Sequence, residues 1–68
     1  MEKIEKAELL ATNCRRYILA GEKELAAVEL DKLERLLPFN ELMEEEKLDW
    51  AFVLLSLSNE IAELGDEQ

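Results

Sequence analysis

The sequence contains no histidine and a single cysteine, Cys14, among its 68 residues. An intrachain disulfide is therefore impossible, and the nitrogen and sulfur ligands that zinc prefers are almost absent. Because no imidazole is present to move a proton near neutral pH, any acid–base catalysis would depend on carboxylates. The composition predicts neither a metal nor a cofactor, and we interpret the chain as not being an enzyme.

Glycine and proline are also scarce, at two residues and one residue respectively. Their scarcity excludes collagen-like and low-complexity classes, and a hydrophobic content of 49% argues against a disordered chain. A chain of this length buries a small core and is marginally stable alone. We therefore expect residues 1–68 to form a single small domain that gains stability by association with a partner or as a homo-oligomer.

Long apolar runs are missing as well. The longest, Trp50 to Leu55, has six residues, whereas a membrane-spanning helix needs about 20. The charged N-terminus lacks the apolar region of a signal peptide, and a single thiol suits a reducing compartment. We expect a cytoplasmic protein that does not bind membranes.

Basic residues are few, eight against 17 acidic residues, and the net charge is −9. Residues 1–35 are nearly balanced at −1, whereas residues 36–68 carry nine acids and one base, a net charge of −8. An acidic chain repels the phosphates of nucleic acids, so direct nucleic-acid binding is not expected. The uneven distribution indicates a separate role for the second half of the chain.

Apolar residues at helical spacing predict an all-α protein without strands. The first helix is expected at residues 2–20, where Gly21 ends it, and the second at residues 22–37, where Pro38 ends it. Because the connection between them is short, residues 1–38 are predicted to form an antiparallel helical hairpin.

Residues 39–68 are predicted to form an acidic third segment, with a helix at residues 41–64 and Asn40 as its N-cap. Two sets of apolar residues follow this helix. The main set is Leu42, Trp50, Val53, Leu54, Leu57, Ile61 and Leu64, and the second set, to one side of it, is Leu48, Phe52, Leu55 and Ala62. Together they form an apolar arc wider than one neighbouring helix covers, which indicates either deep burial in the hairpin groove or an interface.

Residues 7–40 place small side chains where two helices would cross closely and larger apolar side chains beside them. The characteristic positions hold Leu10, Cys14, Tyr17, Gly21, Ala26, Leu30, Leu33 and Pro38. This 34-residue stretch resembles one tetratricopeptide repeat, and the helix after it resembles a capping helix. The resemblance implies protein or peptide binding, and a lone repeat would need a second copy or a partner. A generic helical hairpin that obeys the same crossing rules is the alternative.

Aromatic and leucine side chains of the third helix are the candidate anchors for a partner, because buried aromatic residues dominate interface energies. These candidates are Leu48, Trp50, Phe52 and Leu55. In the first helix, Arg15 and Arg16 are candidates for orienting an acidic partner, with a solvated helix face as the alternative.

Two further features have ordinary explanations. Cys14 lies on the apolar stripe of the first helix, which favours a buried structural thiol over a reactive one. The run Glu44–Glu46, followed by Asp49, lacks the turn glycine and alternating ligands of a calcium loop. A solvated helix face is the interpretation we adopt for these acids.

Three functions are compatible with these patterns. The leading hypothesis is a small protein–protein interaction module (an adaptor, regulator or co-chaperone) that binds through the third-helix arc and the hairpin groove and self-associates. The first alternative is an acidic mimic of nucleic acid that inhibits a DNA- or RNA-binding protein, with carboxylates grouped at residues 41–49 and 60–67. The second is an obligate structural subunit of a larger helical assembly.

Overall fold

The chain forms a helical hairpin followed by a longer third helix, as seen in a computed structural model that describes residues 2–65. Helix α1 spans Glu2–Leu19, α2 spans Lys23–Leu36 and α3 spans Glu44–Gly65, with a 3-10 turn at Phe39–Glu41 before α3. The described residues contain no strand. The predicted all-α architecture is therefore confirmed, and the helix boundaries differ from the predicted ones by at most three residues.

Gly21 ends α1 through its backbone conformation, with φ at +75°. Its N–H donates to the carbonyl oxygen of Ile18 at 3.0 Å, and the N–H of Glu22 donates to that of Tyr17 at 2.8 Å. These two bonds satisfy carbonyls that the end of a helix leaves unpaired. The predicted role of Gly21 is confirmed, because a residue with a Cβ is strained at this φ.

Pro38 ends α2 as predicted, although the last helical residue is Leu36 and not Leu37. Leu37 is extended, with φ −62° and ψ 121°, because the proline ring that follows excludes the helical conformation. Its N–H still donates to the carbonyl oxygen of Leu33 at 3.1 Å. The side chains of Leu33 and Leu37 are both buried, so the chain leaves the helix without exposing its core.

The predicted N-cap of the third helix is wrong. Asn40 is exposed and lies inside the 3-10 turn, and the chain then buries Leu42 before α3 begins. The residue before α3 is Met43, whose N–H donates to Oε1 of Glu46 at 3.2 Å. This is the glutamate half of a capping box. Three glutamates in the first turn of α3 further stabilise the positive end of the helix dipole.

Small side chains allow α1 and α2 to pack closely. Ala7, Cys14 and Ala26 are fully buried, and the Cys14 thiol donates to the carbonyl oxygen of Ala26 over 3.3 Å. Of the three helix pairs, α1 and α2 pack most extensively, and α3 contacts α2 more than α1. The core that results is formed by Ala7, Ala11, Cys14, Ala26, Leu33, Leu37, Leu57 and Ile61.

We expect Gly21→Ala to lower the free energy of unfolding by about 1 kcal/mol, because an L-residue is strained in the left-handed region. Apart from Gly21 itself and the two residues next to it in the chain, no heavy atom lies within 4 Å of the position that the added Cβ would occupy, so a clash with the rest of the protein does not contribute. Urea denaturation followed by far-UV circular dichroism measures the change. D-Ala at the same position, introduced by chemical synthesis, should retain wild-type stability, and an equal loss in both variants would contradict this explanation.

Candidate functional site

Helix α3 carries apolar side chains on two opposite faces. Its inner face packs on α1 and α2, with Leu57 and Ile61 buried and with Trp50, Val53 and Leu54 half-buried against the core. Five of the seven residues of the predicted main apolar set therefore face the core. Leu64 is half-buried, and Leu42, which was predicted to lie on this helix, precedes it. The second predicted set is exposed, which makes it the first candidate for a binding surface.

We define the outer face of α3 as the exposed apolar residues Leu48, Ala51, Phe52, Leu55 and Ala62. Leu48, Phe52 and Leu55 retain 71%, 72% and 60% of their accessible surface. Their spacing of four and then three residues places them in one stripe along the helix. These three side chains present about 350 Å² of apolar surface, which is within the range of the largest apolar patch on a typical monomer, a patch that is often functional.

The outer face stays exposed because of helix geometry. Each residue advances by about 100° around the helix, so Phe52 and Leu57 point in directions about 140° apart. When Leu57 and Ile61 are buried against the hairpin, Leu48 and Phe52 must point away from it. The hairpin supplies two helices, and both lie on the inner side of α3.

A groove with a volume of about 550 Å³ lies between α1 and α3. Its lining includes the apolar side chains of Ala11, Trp50 and Val53, and its charged lining is Glu8, Arg15, Glu46 and Asp49. The groove exists because α3 packs mainly against α2 and only lightly against α1. Its three carboxylates outnumber its single guanidinium, so the groove is acidic.

The structure divides the six predicted partner-binding residues among three places. Leu48, Phe52 and Leu55 lie together on the outer face. Trp50 and Arg15 line the groove, on the other side of α3, and Arg16 is exposed in the last turn of α1. Trp50 lies about 200° around the helix from both Leu48 and Phe52, so the structure does not bring the four predicted anchors onto one surface.

The surface of α3 is strongly acidic. Its described carboxylates are Glu44, Glu45, Glu46, Asp49, Glu60 and Glu63. Lys47 is its single base, and its Nζ lies 3.9 Å from Oε1 of Glu44. Asp66 and Glu67, which belong to the predicted acidic segment, lie outside the described residues. Within residues 2–65, no group of three or more cysteine or acidic side chains is arranged to hold a metal ion.

Cys14 is fully buried, which confirms the interpretation from its place on the apolar stripe. Burial raises the pKa of its thiol above the ordinary value, the carboxylates of Glu29 and Glu60 raise it further, and the guanidinium of Arg15 partly opposes them. The thiol is therefore protonated at neutral pH, the form with low nucleophilicity. Its role is to fill the small space between α1 and α2.

Sequence reasoning missed the burial of Glu29, since acidic side chains were expected to face solvent. Only 14% of this side chain is exposed, and its Oε1 lies 3.8 Å from Nζ of Lys32. Oε2 is buried and has no hydrogen-bond partner among the described residues. The available signal was spacing, because Glu29 follows Ala26 by three residues and precedes Leu33 by four, which places it beside the buried stripe.

The chain matches no known protein family, and no curated protein or solved structure is significantly similar to it. The resemblance of residues 7–40 to a tetratricopeptide repeat therefore stays a prediction. None of the helices in the described part of the chain is both long enough and apolar enough to cross a bilayer.

We expect iodoacetamide to modify Cys14 at least about 100-fold more slowly in native buffer than in urea, because reaction requires opening of the α1–α2 contact. Mass spectrometry of timed samples measures the two rates. Ser58→Cys places a second thiol at an exposed position on α3 and should react at nearly the same rate in both conditions. Native modification of Cys14 at the rate of this control thiol would contradict its assignment as a shielded side chain.

Proposed function

We propose that this chain is a small, non-enzymatic protein-interaction module that binds a helix of a partner protein along the outer face of α3. The observation that carries the proposal is the exposure of Leu48, Phe52 and Leu55 in one stripe, on a helix whose opposite face is already packed. A stripe with four- and three-residue spacing fits the side chains of one neighbouring helix.

The size of the outer face is compatible with this role. Removing about 350 Å² of apolar surface from water contributes about 9 kcal/mol at 25 cal/mol per Å². Association costs about 4–15 kcal/mol in lost translational and rotational freedom. Because this cost is as large as the gain from the stripe, further contacts from the partner must supply part of the affinity.

The remaining chemistry supports binding over catalysis. The carboxylates that line the groove, Glu8, Glu46 and Asp49, belong to exposed residues, whereas a catalytic acid usually needs a sheltered site that shifts its pKa. The Cys14 thiol is buried and protonated. We place the module in the cytoplasm, where a lone thiol stays reduced.

The acidic-mimic hypothesis has less support in the arrangement of α3. A mimic of nucleic acid needs carboxylates along a continuous exposed stripe, as phosphates are spaced along a strand. The acids at residues 44–49 and 60–63 are separated by ten residues that include Phe52 and Leu55, which are exposed and apolar. Apolar side chains in that position suit a protein surface better than a basic nucleic-acid groove.

Self-association and membership of a larger helical assembly are both forms of the same proposal, since each would cover the outer face with another helix. Sedimentation velocity over a range of concentrations measures self-association of the isolated chain. A dimer that Phe52→Ala dissociates would identify a second copy as an occupant of this face.

We expect the double variant Phe52→Ala/Leu55→Ala to lose binding by at least about 30-fold, the effect of removing interface hot spots. Binders are obtained by selecting a displayed library of helical peptides on the wild-type chain, and affinities are measured by fluorescence anisotropy. Thermal stability should stay within a few degrees of wild type, because both side chains are exposed and alanine favours helix.

The matched control is Leu9→Ala/Leu19→Ala, which removes two exposed side chains, 60% and 88% accessible, from α1. This control should bind the selected peptides like wild type. Peptides that bind both double variants equally well, or a library that yields no binder, would count against the outer face as the binding surface.

A further inference from the structure

We propose that the helix that occupies the outer face of α3 is basic, with lysine or arginine side chains beside its apolar stripe. This inference rests on the proposed function and specifies the chemistry of the partner. The proposed function depends on the apolar residues of the outer face, whereas this inference depends on the charged residues that border it.

One border of the outer face carries carboxylates near each of its two ends. By helical rotation, Glu45, Asp49, Glu60 and Glu63 fall on the same side of the stripe, and all four residues are exposed. The opposite border carries Ser58 together with Lys47, whose Nζ lies 3.9 Å from Oε1 of Glu44. A partner helix on the outer face therefore meets four carboxylates on one side and, on the other, one base that is already paired with a carboxylate.

The groove extends this acidic border toward α1. Asp49 belongs to both, and the groove adds Glu8 and Glu46 against the single guanidinium of Arg15. The half-buried indole of Trp50 also lines the groove. A long lysine or arginine side chain that crosses the border can interact with the carboxylates nearest to it, such as that of Asp49.

The length of the face defines the length of the partner. From Leu48 to Ala62 the helix rises by about 21 Å at 1.5 Å per residue, close to four turns. A partner helix of similar length, with apolar residues at three- and four-residue intervals, places its side chains between Leu48, Phe52 and Leu55. Lysine or arginine one position to the side of that stripe then lies opposite the acidic border.

A second copy of the chain fits this border less well, because it brings the same acids. In a parallel pair of α3 helices, heptad spacing puts Glu44 of one copy beside Asp49 of the other. In the antiparallel register that centres the two faces, Asp49 of one copy lies beside Glu63 of the other. Carboxylates that face each other at such positions repel and oppose association. A basic helix would instead place a positive side chain beside each of these carboxylates and attract it.

The experiment uses the full chain and two designed helical peptides of about two heptads, both with leucine at the stripe positions. One peptide carries lysine beside the stripe and the other glutamate, and each is labelled for fluorescence anisotropy. We expect the lysine peptide to bind at least about tenfold more tightly than the glutamate peptide, and its Kd to rise at least about tenfold between about 0.05 and about 0.5 M salt.

Charge reversal on the border provides a variant with a matched control. Glu60→Lys/Glu63→Lys should raise the Kd of the lysine peptide by at least about tenfold and lower the Kd of the glutamate peptide. Glu24→Lys/Glu34→Lys makes the same change in net charge at exposed positions of α2 and should alter both affinities much less. Equal effects of the two variants would show that net charge alone attracts the peptide, and would overturn the proposal.

The other outcomes separate this inference from the proposed function. Equal binding of both peptides, or salt-strengthened dimerisation of the chain, overturns the basic partner but supports the outer face as a binding surface if Phe52→Ala/Leu55→Ala abolishes the binding. A lysine peptide that binds this double variant as well as wild type, or failure of both peptides to bind, counts against both proposals.

Discussion

The close crossing of α1 and α2 is the contact on which the rest of the structure depends. The Cys14 thiol reaches the carbonyl oxygen of Ala26 at 3.3 Å because both residues are small and fully buried. Two backbones this close leave little volume between them, and the larger core side chains are displaced toward the open side of the hairpin. Leu33 and Leu37 belong to the same buried cluster as Leu57 and Ile61, which the third helix supplies.

Helix α3 supplies that cover with one face, and its other apolar face has no counterpart among the described residues. Leu57 and Ile61 complete the core, whereas Phe52 and Leu55 remain in solvent. Exposing large side chains on an otherwise acidic helix does not help a small chain to stay soluble or folded. The partner helix that we propose would cover these side chains, and the acidic border beside them favours positive charge on such a helix.

Much of the fold could be predicted from the pattern of residues, because helical spacing, Gly21 and Pro38 act locally. The start of α3 could not, because the chain buries Leu42 before the helix begins, and such burial depends on tertiary packing that a local pattern does not show. The position of Asn40 favoured an N-cap, yet the chain uses Met43 and Glu46. A favourable N-cap contributes about 1 kcal/mol to stability, which is less than the free energy gained when a leucine side chain is buried.

The sequence by itself determined the number of helices, the two apolar sets of α3 and the acidic character of its surface, since each follows from residue type and a 3.6-residue period. The tertiary structure decided which of the two apolar sets would be buried. It also placed Trp50 and Arg15 in the groove, apart from Phe52 on the outer face. The physical reason is that a hairpin with one open side can cover a single face of a third helix, and the choice of face depends on packing against residues distant in the chain.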